Sequence, residues 1–414
     1  MFETKSTTVP ITKQMVKEAY RKVKSNQDSA GVDKESLEGF EVKLLDNLYV
    51  LWNRLSSGSY FPKPVREVEI PKSDGSKRKL GIPTVSDRIA QEVIKSYLEP
   101  RLEAVFSESS YGYRPLKSAH DAVEEVKQNT RLYAWVLDMD IKAFFDEVSH
   151  ELLMKAIDCH VEEKWVKLYI KRWLETPSQS ANGTLTPKNG NGTPQGGVIS
   201  PLLANLFLHY VLDKWLSINY PSVAFVRYAD DVIVHCQSEE QAKEILEAIR
   251  QRLTDCKLRL SEQKTKIVYC LNYARKQRKD YSKKFDFLGF TFKPTAFKSK
   301  NGGLFTGFGC TISQKAQSQI IDEWEKLKVH KYSENKLQDI ANKLNPQLRG
   351  IINYYGKINL GGLRSLFRNL QFRICKWVKN KYKLESYSEG YKWLNRTQKS
   401  YPNMFQHWLY FKGL

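Results

Sequence analysis

Two adjacent aspartates set between two apolar runs constrain this chain more than any other feature of its sequence. In Phe225-Val226-Arg227-Tyr228-Ala229-Asp230-Asp231-Val232-Ile233-Val234 each flank is apolar enough to be a central strand, and the acids fall where a hairpin tip belongs. Adjacent aspartates at a turn are most often plain turn formers, because Asp hydrogen-bonds its own backbone there. The flanks argue for more. Carboxylates brought together at the edge of a core repel each other, and a hard divalent cation relieves that repulsion.

A second acidic cluster closes another apolar strand, Trp135 to Asp140, and continues to Asp146. Asp138 and Asp140 are two residues apart and so share one strand face. A carboxylate from this strand beside Asp230 and Asp231 makes an all-oxygen site for two Mg²⁺ ions about 3.5–4 Å apart, the arrangement that nucleotidyl transfer uses. Spacing alone does not choose between Asp138 and Asp140. Oxygen donors favour Mg²⁺, with Mn²⁺ able to substitute, over zinc.

Charge points the same way. Lys and Arg outnumber Asp and Glu 66 to 46 in 414 residues, a formal net charge of +20, which suits a polyanion such as nucleic acid. A hydrophobic content of 41% is enough for two or three packed units and excludes a disordered chain. The six cysteines are scattered, with no C-x-x-C pair, so reduced structural thiols are expected rather than a zinc site. No stretch approaches the ~20 apolar residues of a membrane span, and a cytoplasmic location without membrane contact is the expectation.

Apolar residues recur at helical spacing from Thr12 to Tyr60 (Val16, Ala19, Tyr20, Val23; Leu37, Phe40, Leu44, Leu48, Leu51), broken by Ala30-Gly31-Val32-Asp33. A basic hairpin comes next, Val65 to Lys72 and Lys77 to Leu80, joined by Ser73-Asp74-Gly75-Ser76. Ser200-Pro201 starts a helix, and Ala224 to Cys236 reads as buried strand. The run Arg275 to Lys279 is a cationic loop, either solvated or in contact with phosphate. After Ser313 the chain is helical again. Leu363, Phe367, Leu370, Ile374 and Trp377 form one apolar face, while the other positions from Arg364 to Leu384 hold seven Lys or Arg and no acid. Strands alternating unevenly with helices predict an α+β fold.

Motifs in chain order then sharpen the picture. Tyr228-Ala229-Asp230-Asp231 resembles the YADD signature of group II intron reverse transcriptases, and Asp140-Ile141-Lys142-Ala143-Phe144-Phe145-Asp146 resembles that family's first palm motif. The resemblance extends through Lys79 to Arg88, Ser110 to Pro115, Gly192 to Asn205, Lys264-Thr265-Lys266, Phe287 to Phe290, Leu344 to Gly350 and Tyr354-Tyr355-Gly356. It covers about residues 30–380, too many ordered segments for the chance agreement that a lone short motif invites.

The resemblance implies a right-hand polymerase that copies RNA into DNA. It implies helical N-terminal and fingers elements over residues 1–130, an antiparallel-sheet palm over 131–310, a thumb or maturase domain over 311–385 and a short tail over 386–414. Asp140, Asp230 and Asp231 match the metal-binding triad, with the Ile141 backbone carbonyl as a further ligand. Lys72, Arg78, Phe145, Gln195 and Lys264 match nucleotide-binding positions, with Phe145 excluding a ribose 2′-hydroxyl. Nucleic-acid contacts are expected from Arg88, Arg114, Arg349, Arg364, Arg368 and Lys376. The implied partners are an RNA template with its primer, group II intron RNA whose splicing the protein assists, and target DNA. The stretch after Ser386 is too short for a separate DNA-binding domain, and no Cys or His signature of an endonuclease is present. Alternatives are a host-adopted relative in phage defence or DNA repair, an RNA-dependent RNA polymerase, against which Phe145 argues, and a non-catalytic RNA-binding protein.

Overall fold

The computed structural model describes residues 9–26, 29–71, 77–275, 280–299, 301–328 and 334–414. The chain divides into two compact units. One comprises Met1–Ser118, Leu137–Val234 and Glu240–Lys266; the other comprises Ala119–Val136, His235–Glu239 and Ile267–Leu414.

The first unit opens with the expected helices. Thr12 caps Lys13–Lys24 by accepting from the Met15 N–H at 3.2 Å, and the buried face is Val16, Ala19, Tyr20 and Val23. Helices Leu37–Glu41 and Leu44–Ser56 come next and bury Leu37, Phe40, Leu51 and Leu55, while Leu44 and Leu48 remain half-buried. The break at Gly31 has a steric cause. A Cβ there would stand 2.7 Å from the Thr84 Cα, so only glycine lets the turn lie against the start of the next long helix, Val85–Glu103. Thr84 caps that helix by accepting from the Asp87 N–H.

Strands Val65–Pro71 and Lys77–Ile82 pair antiparallel, from Arg66 opposite Ile82 to Pro71 opposite Lys77. Their free end is closed by the loop Pro194 to Gly197. The Gly81 N–H donates to the Gln195 carbonyl at 2.7 Å, and a Cβ at Gly196 would meet the Gly81 oxygen at 2.6 Å. Strands Ala224–Tyr228, Asp231–Cys236 and Trp135–Asp140 lie side by side in that order. Their apolar residues Phe225, Val226, Val232, Ile233, Val234, Leu137 and Met139 are buried.

The second unit holds the antiparallel strands Phe285–Phe287, Phe290–Lys298 and Leu304–Ile312. Leu288 and Gly289 join the first two with φ of 48° and 79°, the two-residue turn with both central residues left-handed that fits the twist of a hairpin. Helices Gln314–Lys326, Leu337–Ile351, Arg364–Tyr382 and Tyr387–Ser400 then pack around one core. Leu363, Phe367, Leu370, Ile374 and Trp377 all belong to it, as their spacing predicts.

The motifs of this unit are struts. The Tyr354 hydroxyl donates to the Leu288 carbonyl at 2.9 Å, and the Trp324 indole donates to Gln347 at 2.8 Å. Asn345 bridges the last segment of the chain, donating to the Met404 carbonyl and accepting from the Gln406 N–H. Residues 386–414, expected as a short tail, are folded: Leu394, Phe405, Trp408 and Phe411 enter the same core. Among the described residues no helix is long and apolar enough to cross a membrane. All six cysteines are free thiols, five of them buried.

Candidate active site

The hairpin that carries the aspartates turns in two residues. Ala229 has φ 56°, a left-handed conformation that costs a residue with a Cβ about 1 kcal/mol or more. The tip is held from below: the Arg227 guanidinium donates to the Ala229 carbonyl at 3.1 Å. It is also flanked by Gly112, where a Cβ would stand 2.5 Å from the Ala229 nitrogen. The strand ending at Asp140 is fixed by its continuation, since the Ser261 N–H donates to the Asp140 carbonyl and the Lys142 N–H to the Arg259 carbonyl.

The cavity beside these acids has a volume of about 440 Å³. Its walls include Asp140, Ile141, Phe145, Asp230, Arg78, Gln195 and Lys264, so residues scattered over nearly 190 positions of sequence meet at one place. Phe144 and Phe145 divide the labour. Both border the cavity, but Phe144 is buried against Phe207, whereas Phe145 is half-exposed. Lys77 and Lys79 pair with Glu69 and Glu67, while Arg78 makes no ion pair with any described residue and lines the cavity. Lys72 lies outside the described residues, as do the Ser73 to Ser76 turn and Lys276 to Lys279 of the basic run.

Electrostatics at the tip are unbalanced. Burial, then Asp230, Asp140 and Asp138, push the Asp231 carboxyl up to about 7, and burial with Asp140 raises Asp230. The Lys264 ammonium, expected to bind nucleotide, lies 2.9 Å from an Asp140 oxygen, and Lys266 lies 3.3 Å from Asp138. Two lysines thus offset part of the charge. The expected donor set, three carboxylates and the Ile141 carbonyl, consists of oxygens alone, the donors that hard divalent cations prefer. No three Asp, Glu, His or Cys side chains among the described residues form a ready cage, so substrate oxygens and water would complete the coordination, as Mg²⁺ sites commonly require.

Two expected nucleic-acid contacts are corrected. Arg88 is buried and donates to the Ser29 carbonyl at 3.0 Å. Arg114 is buried too, paired with Glu103 at 2.9 Å and donating to the Ser107 and Ser110 carbonyls. Both are spent on backbone groups that burial would otherwise leave unsatisfied. Arg349, Arg364 and Arg368 are exposed and Lys376 half-exposed, as a nucleic-acid contact requires. Arg275 of the basic run is also structural, donating to the Thr130 and Arg131 carbonyls.

Sequence reasoning missed other residues around the tip. Tyr113, left-handed at φ 59°, keeps more than half of its surface open to solvent, yet partial desolvation and then the nearby Asp230 raise its hydroxyl. Asn205, Asp213 and Arg227 are buried beneath the tip, and Arg227 donates to both of the others. The adjacency of Arg227 to the Tyr-Ala-Asp-Asp motif was the available signal, since a charge inside an apolar strand requires a partner.

Residues 70–292 match the family described as reverse transcriptase (RNA-dependent DNA polymerase), and residues 319–397 match the group II intron maturase-specific domain. The chain belongs to the group II intron reverse transcriptases. Protein YkfC of Escherichia coli is 35% identical over 275 residues, 57% of this chain and 71% of that protein. The group II intron-encoded protein LtrA of Lactococcus lactis is 34% identical over 201 residues, 48% of this chain but only 33% of LtrA. An uncharacterized 91 kDa protein in the cob intron of Schizosaccharomyces pombe is 31% identical over 204 residues, 48% of this chain and 24% of that protein. The chain therefore spans about a third or less of the length of these last two relatives. The α+β content is that of the right-hand polymerase fold of this family of reverse transcriptases, whose chemistry is metal-dependent nucleotidyl transfer.

Proposed function

We propose that this chain extends a primer on an RNA template with deoxynucleotides, using Asp140, Asp230 and Asp231 to hold two Mg²⁺ ions, and that it binds group II intron RNA as a maturase. The observation that carries the polymerase reading is the cavity itself: the three aspartates couple electrostatically, and Arg78, Lys264, Phe145 and Gln195 share its walls with two of them. In this reading residues 1–130 supply the N-terminal extension and fingers, 131–310 the palm and 311–385 the thumb.

Each cavity residue has its own task. Arg78 donates to the triphosphate, which a guanidinium binds with two parallel hydrogen bonds. The Phe145 ring lies under the sugar of the incoming nucleotide and leaves no room for a 2′-hydroxyl. Gln195, on the loop that Gly196 lets pack against the Gly81 backbone, lies against the nascent base pair. Lys264, now 2.9 Å from an Asp140 oxygen, has the reach of a long flexible side chain to turn toward the leaving pyrophosphate and deliver a proton to it. When bound, the ions supply activation of the primer 3′-hydroxyl and neutralisation of the charge that develops on the phosphates.

For the maturase role, Arg349, Arg364 and Arg368 supply exposed cations, and Lys376 a half-exposed one, for the RNA backbone. Target DNA is the further partner of a mobile intron. The test is primer extension on RNA with dNTPs and Mg²⁺, comparing the parent chain with Asp230→Ala. Extension by the parent and a loss of at least about 10³-fold in the variant, with RNA binding unchanged, is expected from removal of a group that acts mainly in the transition state. Tight RNA binding by both without extension by either would leave a splicing cofactor and refute the polymerase.

A further inference from the structure

Beneath the aspartate tip lies a chain of buried contacts that ordinary packing does not explain. The helix that begins at Ser200 does not run straight to Asn219. It is interrupted by a π-helical turn, His209–Asp213, although no glycine or proline lies within it. Such turns are rare and concentrate at functional sites. Here the irregularity is held from outside: the Arg252 guanidinium, on helix Glu239–Asp255, donates to the Tyr210 carbonyl at 3.0 Å and to the Val211 carbonyl at 3.1 Å.

One extra residue in a helical turn rotates the next residues by about 100° around the axis. At the end of this turn Asp213 faces inward, where both carboxylate oxygens accept from Arg227, at 2.7 and 2.6 Å. Both side chains are completely buried. The remaining guanidinium nitrogen donates to Asn205 and to the Ala229 carbonyl, and Asn205 in turn donates to the Gly112 carbonyl at 2.7 Å. The network thus ends on the hairpin tip and on the residue packed against it.

A buried ion pair is a costly way to gain stability, because desolvation consumes most of the attraction. What it supplies is geometry: a planar, five-donor group fixed at two points cannot shift without losing several bonds at once. The tip has need of that, because Asp230 and Asp231 repel each other and come directly after a strained Ala229. We propose that Arg252, the π-helical turn, Asp213 and Arg227 form a strut that fixes the peptide before Asp230, and that this strut sets the affinity of the aspartates for divalent cations. Arg227 and Asp213 are positioning residues, acting through Asp230 rather than on substrate. The inference rests on the metal-binding reading of Asp230.

The test uses the full chain without nucleotide and follows Mn²⁺ binding by electron paramagnetic resonance, together with the Mg²⁺ dependence of extension and thermal unfolding. The parent binds Mn²⁺ and Asp230→Ala does not; if the parent fails to bind, the metal-binding reading falls and the strut with it. Arg227→Lys keeps the buried charge but loses the two-point fork. It is expected to weaken Mn²⁺ binding about 10- to 100-fold, the range seen when groups that orient metal ligands are removed, with little change in KM for dNTP. Arg252→Gln, on a half-buried residue remote from the aspartates, is expected to shift both metal readouts in the same direction by a smaller factor and to decide the matter if Arg227→Lys does not fold. Parental Mn²⁺ affinity in a folded Arg252→Gln or Arg227→Lys protein would overturn the strut, whatever the change in melting temperature.

Discussion

Phe145 and Asp231 show how much a single residue's surroundings decide. Both Phe144 and Phe145 border the cavity, but Phe144 is buried against Phe207 and only Phe145 keeps half-exposed surface there. Replacing Phe145 by Val removes the ring that would meet a 2′-hydroxyl, so the preference for dNTP over NTP should fall on the order of 10²-fold, read as the ratio of the two kcat/KM values. If discrimination is unchanged, Phe145 is not the selecting residue. Asp231 gives a pH prediction. Its carboxyl, raised to about 7 in the metal-free protein, holds a proton that the unfolded chain releases near 3.8. The folded state binds more protons across that window, so the metal-free fold loses stability as pH rises through it. A cation that takes the proton's place reverses the loss. The rise in melting temperature on adding Mg²⁺ should therefore be larger at about pH 8 than at about pH 5.5; an equal rise at both would rule out Asp231 as the titrating ligand. That Asp140, Asp230 and Asp231 come together was legible because their motifs are long and ordered. Arg88 and Arg114 were misread because a basic residue in a motif looks like a phosphate contact until its burial is known.

At the scale of elements, apolar spacing found the helices Lys13–Lys24 and Arg364–Tyr382 down to their buried faces. It did not find the π-helical turn at His209–Asp213, because one inserted residue disturbs the pattern only locally and no breaker marks it. The Ser-Tyr-Gly-Tyr motif was legible as a pattern but not as a device. Its Gly112 is the clearance for the aspartate hairpin, since any Cβ there would strike the Ala229 backbone, which cannot swing aside like a flexible side chain. Gly112→Ala should therefore destabilise the fold by about 1–3 kcal/mol, as overpacking does. It should also cut extension far more than RNA binding, because what moves is the tip. Chemical denaturation and primer extension on the same preparation separate the two effects, and parental extension rates would show that the tip tolerates the displacement.

At the scale of the whole molecule, the net charge of +20 was the first sign of a polyanion partner, yet total charge does not say which cations are free to bind. Many are not: Arg114, Arg227, Lys77, Lys79, Lys264 and Lys266 each face a carboxylate. The helical unit after Ser313 differs, because its apolar face is consumed by the core that also takes in Phe405 and Trp408, and this leaves Arg349, Arg364 and Arg368 outward. Binding through phosphates releases counterions, and the dependence of affinity on salt counts them. Changing Arg349, Arg364 and Arg368 together to Gln should lower the slope of log K against log salt by about 2 to 3 for structured RNA, at about 0.7–0.9 for each phosphate no longer neutralised. Folding should be unaffected, since exposed substitutions of this kind move stability by about 0.5 kcal/mol or less. A slope equal to the parent's would mean that these three cations only solvate the helix surface, and the search for the RNA-binding face would move to the remaining exposed basic residues.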